Sequence, residues 1–458
     1  MYNYIFVTDQ NKIFMEKAQS IAMLAQHIGD RTTRGIAMEM AALIRSGTLP
    51  VGTQLPPVRE LAEALGVSPA TISAAWGELR SYNVISGQGR TGVWVTGDNA
   101  SPHPQRFEIV NAIGEHIVAD LSLAHPDPAL MPDLARALRE GLSAPHLNEY
   151  RHLPILAPLR EAAEKRWPYR PEAMLATNGG FEALLLTLQT LLRPGVVVAL
   201  EDPTTARILD MLEFLKVNVV PVRCDSEGPI PDALRHVLKR KPAAFIYQPR
   251  THSTTGTVVS YARREALAKL LEDSDTIVIE DDGLGDISGH PPASLGTRFP
   301  NRTVHILSYS KAYGPDLRVA VLSGSREIVD RIQSFRNFGA RWTSRILQGA
   351  AAWMLGDANV ESQVIKAREV YTERRNALLT ALRERRIDTN SHDGLAVWIP
   401  VESEQFAVLT MAARGIAVLS GSRCCVENRQ SHIRVAIGQL TQNVDVVSDA
   451  IALAARLR

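Results

Sequence analysis

A chain of 458 residues, 45% of them hydrophobic, is long enough for two or three domains with cores of their own. A formal net charge of +1 excludes a global nucleic-acid footprint, so any DNA binding must come from a local patch. No stretch approaches the ~20 apolar residues of a membrane span, and the three cysteines (Cys224, Cys424, Cys425) have neither metal-type spacing nor the even count of a disulfide framework.

That cysteine usage fits a reducing cytoplasm. Residues 1–30 carry no motif. Asp9, Lys12, Glu16 and Lys17 interrupt them too often for a signal peptide. The stretch reads as a short amphipathic helix, a flexible tail, or an extension upstream of the natural start, with Met15 and Met23 as alternatives.

From Thr32 the pattern sharpens. Ile36, Met40, Leu43 and Ile44 recur at helical spacing, and Gly47 suits the helix end. Leu49 to Arg59 is a connector rich in proline and glycine, and Arg59 to Leu65 a second helix stopped by Gly66. Ser68 caps a third helix with Pro69 in its first turn, and Ile72, Ala75, Trp76 and Leu79 line one face. Two short helices joined in this way match a helix-turn-helix. Val84-Ile85 and Val93 to Val95 then read as a two-stranded wing around the glycine-rich tip Gly87 to Gly92. The run Gly52-x-x-Leu-Pro-x-x-Arg59-x-Leu-Ala-x-x-Leu-Gly-Val-Ser68-x-x-Thr71 resembles the GntR-type winged helix. That resemblance implies DNA contacts by Arg59, Ser68, Thr71, Ser73 and Arg90 within a domain spanning 31–97. Pro69 stands where the family usually has arginine. About six basic residues against four acidic ones between Arg31 and Gly97 imply a shallow salt dependence of DNA binding unless a dimer doubles it.

Residues 98–120, with Ser101-Pro102-His103-Pro104, read as a semi-rigid linker. From Leu121 strand and helix patterns alternate, which argues for an α/β domain with a parallel-rich sheet and helices on both faces. The strands are expected at Val196–Leu200, Val217–Val222, Ala243–Tyr247, Thr276–Glu280, Thr303–Ser308 and Arg318–Ser323. Long helices from about Glu361, with strands Leu395–Val401 and His432–Ile437, suggest a smaller α+β subdomain. Two of the apolar runs deliver Glu280-Asp281-Asp282 and Ser308-Tyr309-Ser310-Lys311 at their carboxyl ends, where open α/β sheets bind ligands. Pyridoxal phosphate needs such a set: an amine (Lys311), a carboxylate for its ring nitrogen (Asp281), and hydroxyl and cationic donors for its phosphate (Ser308, Arg318), with Ser310 a further cofactor-binding candidate beside Lys311. Each residue alone has an ordinary reading as a loop charge or a helix cap; their joint spacing carries the inference.

Ser308-x-Ser-Lys311-x-x-x-Pro-x-x-Arg318, after the Glu-Asp-Asp segment, resembles the fold-type I pyridoxal-phosphate enzymes of the aspartate aminotransferase group. The resemblance adds Gly180 and Phe181, whose amides would face the phosphate, and Tyr150, which would reach the partner subunit's phosphate. Arg434 falls where the family binds an amino-acid carboxylate, and Arg207 is a second candidate for that role. Three departures stand out: Gly283 where the family has a tyrosine, Thr205 where it has a stacking aromatic, and no proline in Arg250 to Gly256. A winged helix followed by such a domain resembles the MocR subfamily of transcription regulators. That implies a head-to-tail homodimer on double-stranded operator DNA, with a B6 vitamer or an amino acid as effector, controlling vitamin B6 or amino-acid metabolism genes. The departures argue for cofactor binding with poor turnover and for the vitamer itself as effector. A working aminotransferase with an accessory DNA-binding domain, and a domain that has lost its cofactor, remain as alternatives.

Overall fold

The computed structural model describes residues 21–45, 48–81, 84–87, 92–96, 104–108, 118–389, 391–427 and 430–456. The chain divides into two compact units, Met1–His103 and Pro104–Arg458.

The first unit packs helices Thr33–Arg45, Val58–Leu65 and Pro69–Ser81 around one core. Ile36, Met40, Leu43 and Ile44 are buried as their spacing predicts, and so are Ile72, Ala75, Trp76 and Leu79. Gly66 ends the second helix at φ 66°, a left-handed conformation that glycine takes without strain. The unit begins earlier than the motif. Residues 21–27 form a further helix whose Leu24, with Ile28 beyond it, is buried in the same core. Leu49 to Arg59 is also more than a connector, because Gln54–Leu55 pairs antiparallel with Val93–Val95. The wing is therefore three strands, with Ile85–Ser86 on the other side of Val93–Val95. Gly47 lies outside the described residues.

The second unit is built on an eight-stranded mixed sheet. Its order is Ala173–Thr177, Ala320–Gly324, Thr303–Ser308, Ile277–Asp282, Ala244–Tyr247, Val197–Asp202, Asn218–Asp225, Gly228–Pro229. The five strands from Thr303–Ser308 to Asn218–Asp225 run parallel, and Ala320–Gly324 is antiparallel to both its neighbours. Alternate residues face two cores. Val198, Leu200, Ile246, Ile279 and Ile306 pack with helices Gly180–Leu191, Ala206–Phe214 and Arg326–Arg336. Ala199, Phe245, Tyr247 and Val278 pack with Pro231–Leu238 and Tyr261–Leu271. Two expectations need correction. Ala173–Thr177 is a strand although Ala-Met-Leu-Ala has little β propensity, because it is fully buried beside Ala320–Gly324. Arg318 does not head a strand: it follows the 3-10 turn Pro315–Leu317 at φ 47°, and the strand starts at Ala320.

Helix Ala358–Glu384 leads into the C-terminal part, where Ala396–Pro400, His432–Ala436 and Leu419–Ser420 form an antiparallel sheet covered by Glu404–Ala412 and Val444–Ala455. Ala119–Asp120 pairs with Ile416–Ala417, and Arg106 ion-pairs with Asp210 and Glu213. The stretch 98–120 is therefore not a spacer throughout, since both of its described pieces are held on the second unit. Among the described residues no helix is long and apolar enough to cross a membrane.

Candidate functional site

The parallel register sets the site. Asp281 lies opposite Ile306 and Asp282 opposite Leu307, so both carboxylates reach the carboxyl edge where Thr303–Ser308 ends. One helical turn, Ser310–Tyr313, then presents Lys311. Its Nζ donates to the Ala124 carbonyl at 2.6 Å. Burial, reinforced by the Arg434 and Arg207 charges and opposed by Asp281, pushes the Lys311 amine down to about 8. Burial also drives Asp281 up to about 7, with Asp282 and Glu201 adding repulsion that His252 and Lys311 offset.

A second group of residues forms a concave cradle. Gly179, at φ 103°, precedes helix Gly180–Leu191. A Cβ on Gly179 would lie 2.9 Å from Arg318 Nη2, and one on Gly180 would lie 3.1 Å from Ser308 Cβ. Arg318 Nη2 donates to Asn178 O at 3.1 Å, and the Ser310 amide approaches Ser308 Oγ at 3.5 Å. Glycine is needed here because the backbone itself is packed against the donors. A helix N-terminus, a serine and a guanidinium in one concavity favour an anion with several oxygens.

Arg434 is buried on strand His432–Ala436 and donates through Nη2 to Ser122 O at 2.7 Å, while its Nε has no partner. Burial holds its guanidinium below the ordinary arginine value. Arg207 lies against two rings, with Cζ 3.5 Å from the Phe107 centroid and 4.7 Å from that of Phe181. Tyr150 is 81% exposed, and its ring meets Trp342 edge-on at 6.0 Å, so within one chain it is a surface residue. Thr205 precedes helix Ala206–Phe214 and shares a 3.3 Å hydroxyl contact with Ser253. At Gly283 an added Cβ would meet only the Asp281 carboxylate, at 3.6 Å.

Sequence reasoning missed the groups behind Asp281. Arg250 Nε pairs with Asp282 at 2.9 Å, both nearly inaccessible. His252 Nδ1 lies 3.3 and 3.1 Å from the Thr254 and Thr255 amides, and its Nε2 lies 3.4 Å from Glu201. Their only signal was the divergent segment Arg250 to Gly256. His125, beside the Lys311 anchor at Ala124, was missed as well. Burial and the neighbouring Lys311 lower its pKa.

In the first unit the third helix presents Pro69, Ala70, Ser73 and Ala74 to solvent, with Thr71 half-buried and Arg59 exposed on the second helix. Ser68 Oγ accepts from the Thr71 amide at 3.1 Å and contacts the Thr71 hydroxyl at 2.9 Å. Arg90 lies outside the described residues.

Residues 32–95 match the model of bacterial regulatory proteins of the gntR family, and residues 117–451 match that of aminotransferase class I and II. The chain is 30% identical to the vitamin B6 salvage pathway transcriptional repressor PtsJ of Salmonella typhimurium, over 91% of this chain and 96% of the relative. It is 25% identical to the pyridoxine biosynthesis transcriptional regulator PdxR of Corynebacterium glutamicum, over 83% and 86% of the two chains. Among solved structures, the kynurenine aminotransferase of Pyrococcus horikoshii superposes with a TM-score of 0.68 at 20% identity, covering 77% of this chain and 94% of its own. That likeness is one of fold.

Proposed function

The chain belongs to the gntR family of bacterial regulators whose winged helix is joined to an aminotransferase class I and II domain, the MocR architecture, and from that premise we propose a transcription regulator that binds pyridoxal 5'-phosphate and controls vitamin B6 genes. The observation that carries the reading is the convergence of Lys311, Asp281 and the Gly179–Gly180–Ser308–Arg318 cradle on one sheet edge.

The residues fit the cofactor. Bound there, it supplies an aldehyde that condenses with an amine. The cradle, with Gly180, Phe181, Ser308, Ser310 and Arg318, would hold the phosphate. Asp281 would pair with the ring nitrogen, and the Lys311 amine, lowered to about 8, is neutral in about one molecule in ten at pH 7, far more than an ordinary lysine. Arg434, buried with a free Nε, takes a carboxylate, and Arg207 a second anion. With Gly283 and Thr205 in place of a phenol and a stacking ring, the cofactor ring would be anchored at its phosphate and amine ends and less constrained between them. That favours sensing over turnover. Tyr150 completes the site across a head-to-tail homodimer. Arg59, Ser68, Thr71, Ser73 and Arg90 face operator DNA, and the protein acts in the cytoplasm.

Titration of the full chain with pyridoxal phosphate tests this reading. A shifted absorption band, fixed by borohydride and lost in Lys311→Ala, is expected, together with a change in affinity for DNA from the protein's own upstream region. No band and no fixed adduct would refute cofactor binding. The competing reading, a working aminotransferase, draws on the same Lys311, Asp281 and Arg434. It would be favoured by single-turnover conversion of the bound cofactor by amino acids at enzymatic rates.

A further inference from the structure

Phe107 connects the crevice to the segment that leads towards the DNA-binding unit. It lies in the short helix Gln105–Glu108, with its ring centroid 3.5 Å from Arg207 Cζ. At that distance the guanidinium must lie flat on the ring, because an edge-on approach would bring a nitrogen about 1.3 Å nearer. A flat stack engages the face of the guanidinium and leaves its N–H donors in plane around the edge. Among the described residues Arg207, which is half-buried, makes no hydrogen bond and no ion pair, so those donors meet no protein acceptor. Phe181, whose amide borders the cradle, lies against the same guanidinium at 4.7 Å. The cations Arg318 and Lys311 are near enough to be felt electrostatically, and the Asp210 carboxylate acts on Arg207 in the opposite sense while itself paired with Arg106.

The segment is also tied down by the residue that precedes Phe107 on the same helix. The Arg106 amide donates to Asp210 Oδ1 at 3.2 Å, and its Nη1 reaches Asp210 at 3.1 Å and Glu213 at 2.6 Å. Arg423 Nη1 donates to the Arg106 carbonyl at 3.3 Å. Residues 104–108 and the Arg207 side chain thus form one structural piece on helix Ala206–Phe214.

We infer that Phe107 is part of the ligand site, and that an oxyanion seated on the edge of Arg207 holds the connecting segment docked. The inference rests on the reading of the crevice as a cofactor and effector site. Because the ring covers the face and the anion takes the edge, the two share Arg207 without competing. The stack fixes the plane in which the guanidinium meets its ligand. Linkage then runs both ways: whatever factor Phe107 adds to anion affinity, the anion adds to docking of the segment. A cation–π contact of this kind corresponds to a factor of between about two and thirty. The anion is either the cofactor phosphate or the carboxylate of a second molecule.

Hydrogen exchange of the amides at 105–108, followed by mass spectrometry on the full chain, tests the inference with pyridoxal phosphate alone and with succinate added at saturating cofactor. Slower exchange with the cofactor alone identifies the phosphate as the anion. Slowing only after succinate identifies a second, carboxylate ligand. Phe107→Ala should weaken binding of that anion by about two- to thirtyfold, and Phe107→Tyr should restore it. Unchanged exchange in both arms while the absorption band reports bound cofactor, or wild-type affinity in Phe107→Ala, overturns the inference and leaves the cofactor reading standing. Absence of the band and of any borohydride-fixed adduct overturns both.

Discussion

The enclosed Lys311 amine makes a prediction that a surface lysine would not. An ordinary lysine at 10.5 exposes about one neutral amine in 3,000 at pH 7, whereas one lowered to about 8 exposes about one in ten. The structure therefore gives Lys311 about a 300-fold larger neutral fraction at pH 7. The rate of adduct formation with pyridoxal phosphate, followed by stopped-flow absorption from pH 6 to 10, should rise with pH and level off above about 8. The causes are separable. Burial is the largest, and Arg434 is the leading charge that opposes protonation, so Arg434→Gln should move the inflection upward. Asp281 favours the protonated amine, and Asp281→Asn should move the inflection down. A rate that climbs log-linearly through pH 10 would refute the enclosed-amine account. An inflection indifferent to Arg434 would refute the electrostatic part of it.

Asp281 carries a stability signature of its own. Its folded pKa is raised from 3.8 to about 7, so the folded chain keeps a proton there that the unfolded chain has lost, and stability falls as pH climbs through that window. In urea unfolding of the ligand-free protein, Asp281→Asn should match wild type near pH 4 and exceed it at pH 8, by at most about 4 kcal/mol; an equal gap at both pH values would contradict this. Gly180→Ala places a Cβ 3.1 Å from Ser308 Cβ and should cost about tenfold or more in cofactor affinity, read by the same titration. Ser68→Ala removes the cap on the third winged-helix helix and should lower the stability of that unit by about 1 kcal/mol, with Ser68→Asn close to wild type. Arg59→Ala should weaken DNA binding and flatten its salt dependence, measured by fluorescence anisotropy at several salt concentrations.

What the sequence made legible was whatever local chemistry dictates. Ile72, Ala75, Trp76 and Leu79 had to face a core because no other helical register hides them, and all four are buried. Asp281 and Lys311 were findable because each follows an apolar run at a strand's carboxyl end. What stayed hidden depends on contacts between distant segments. Ala173–Thr177 becomes a strand only because Ala320–Gly324 turns antiparallel and pairs with it. Leu24 and Ile28 look like tail residues until the winged-helix core closes over them. Phe107, inside a stretch rich in proline and polar residues, has no periodicity at all, and its role depends on Arg207, one hundred positions later.

The departures from an aminotransferase site acquire a direction once the geometry is known. On the proposed reading, the groups retained, Lys311, Asp281 and the glycine cradle, are the ones that would capture a molecule by its ends. Those missing at Gly283 and Thr205 would clamp its ring. Capture without a clamp lowers the penalty for entry and exit and sacrifices the fixed orientation that chemistry requires. A sensor needs the first property and no part of the second. It also needs something that differs between its ligand-free and liganded states, and Arg207 offers this, with donors that meet no acceptor among the described residues and its face on a ring from the connecting segment. A differential contact of that kind is the minimum from which a ligand can shift the position of a distant domain.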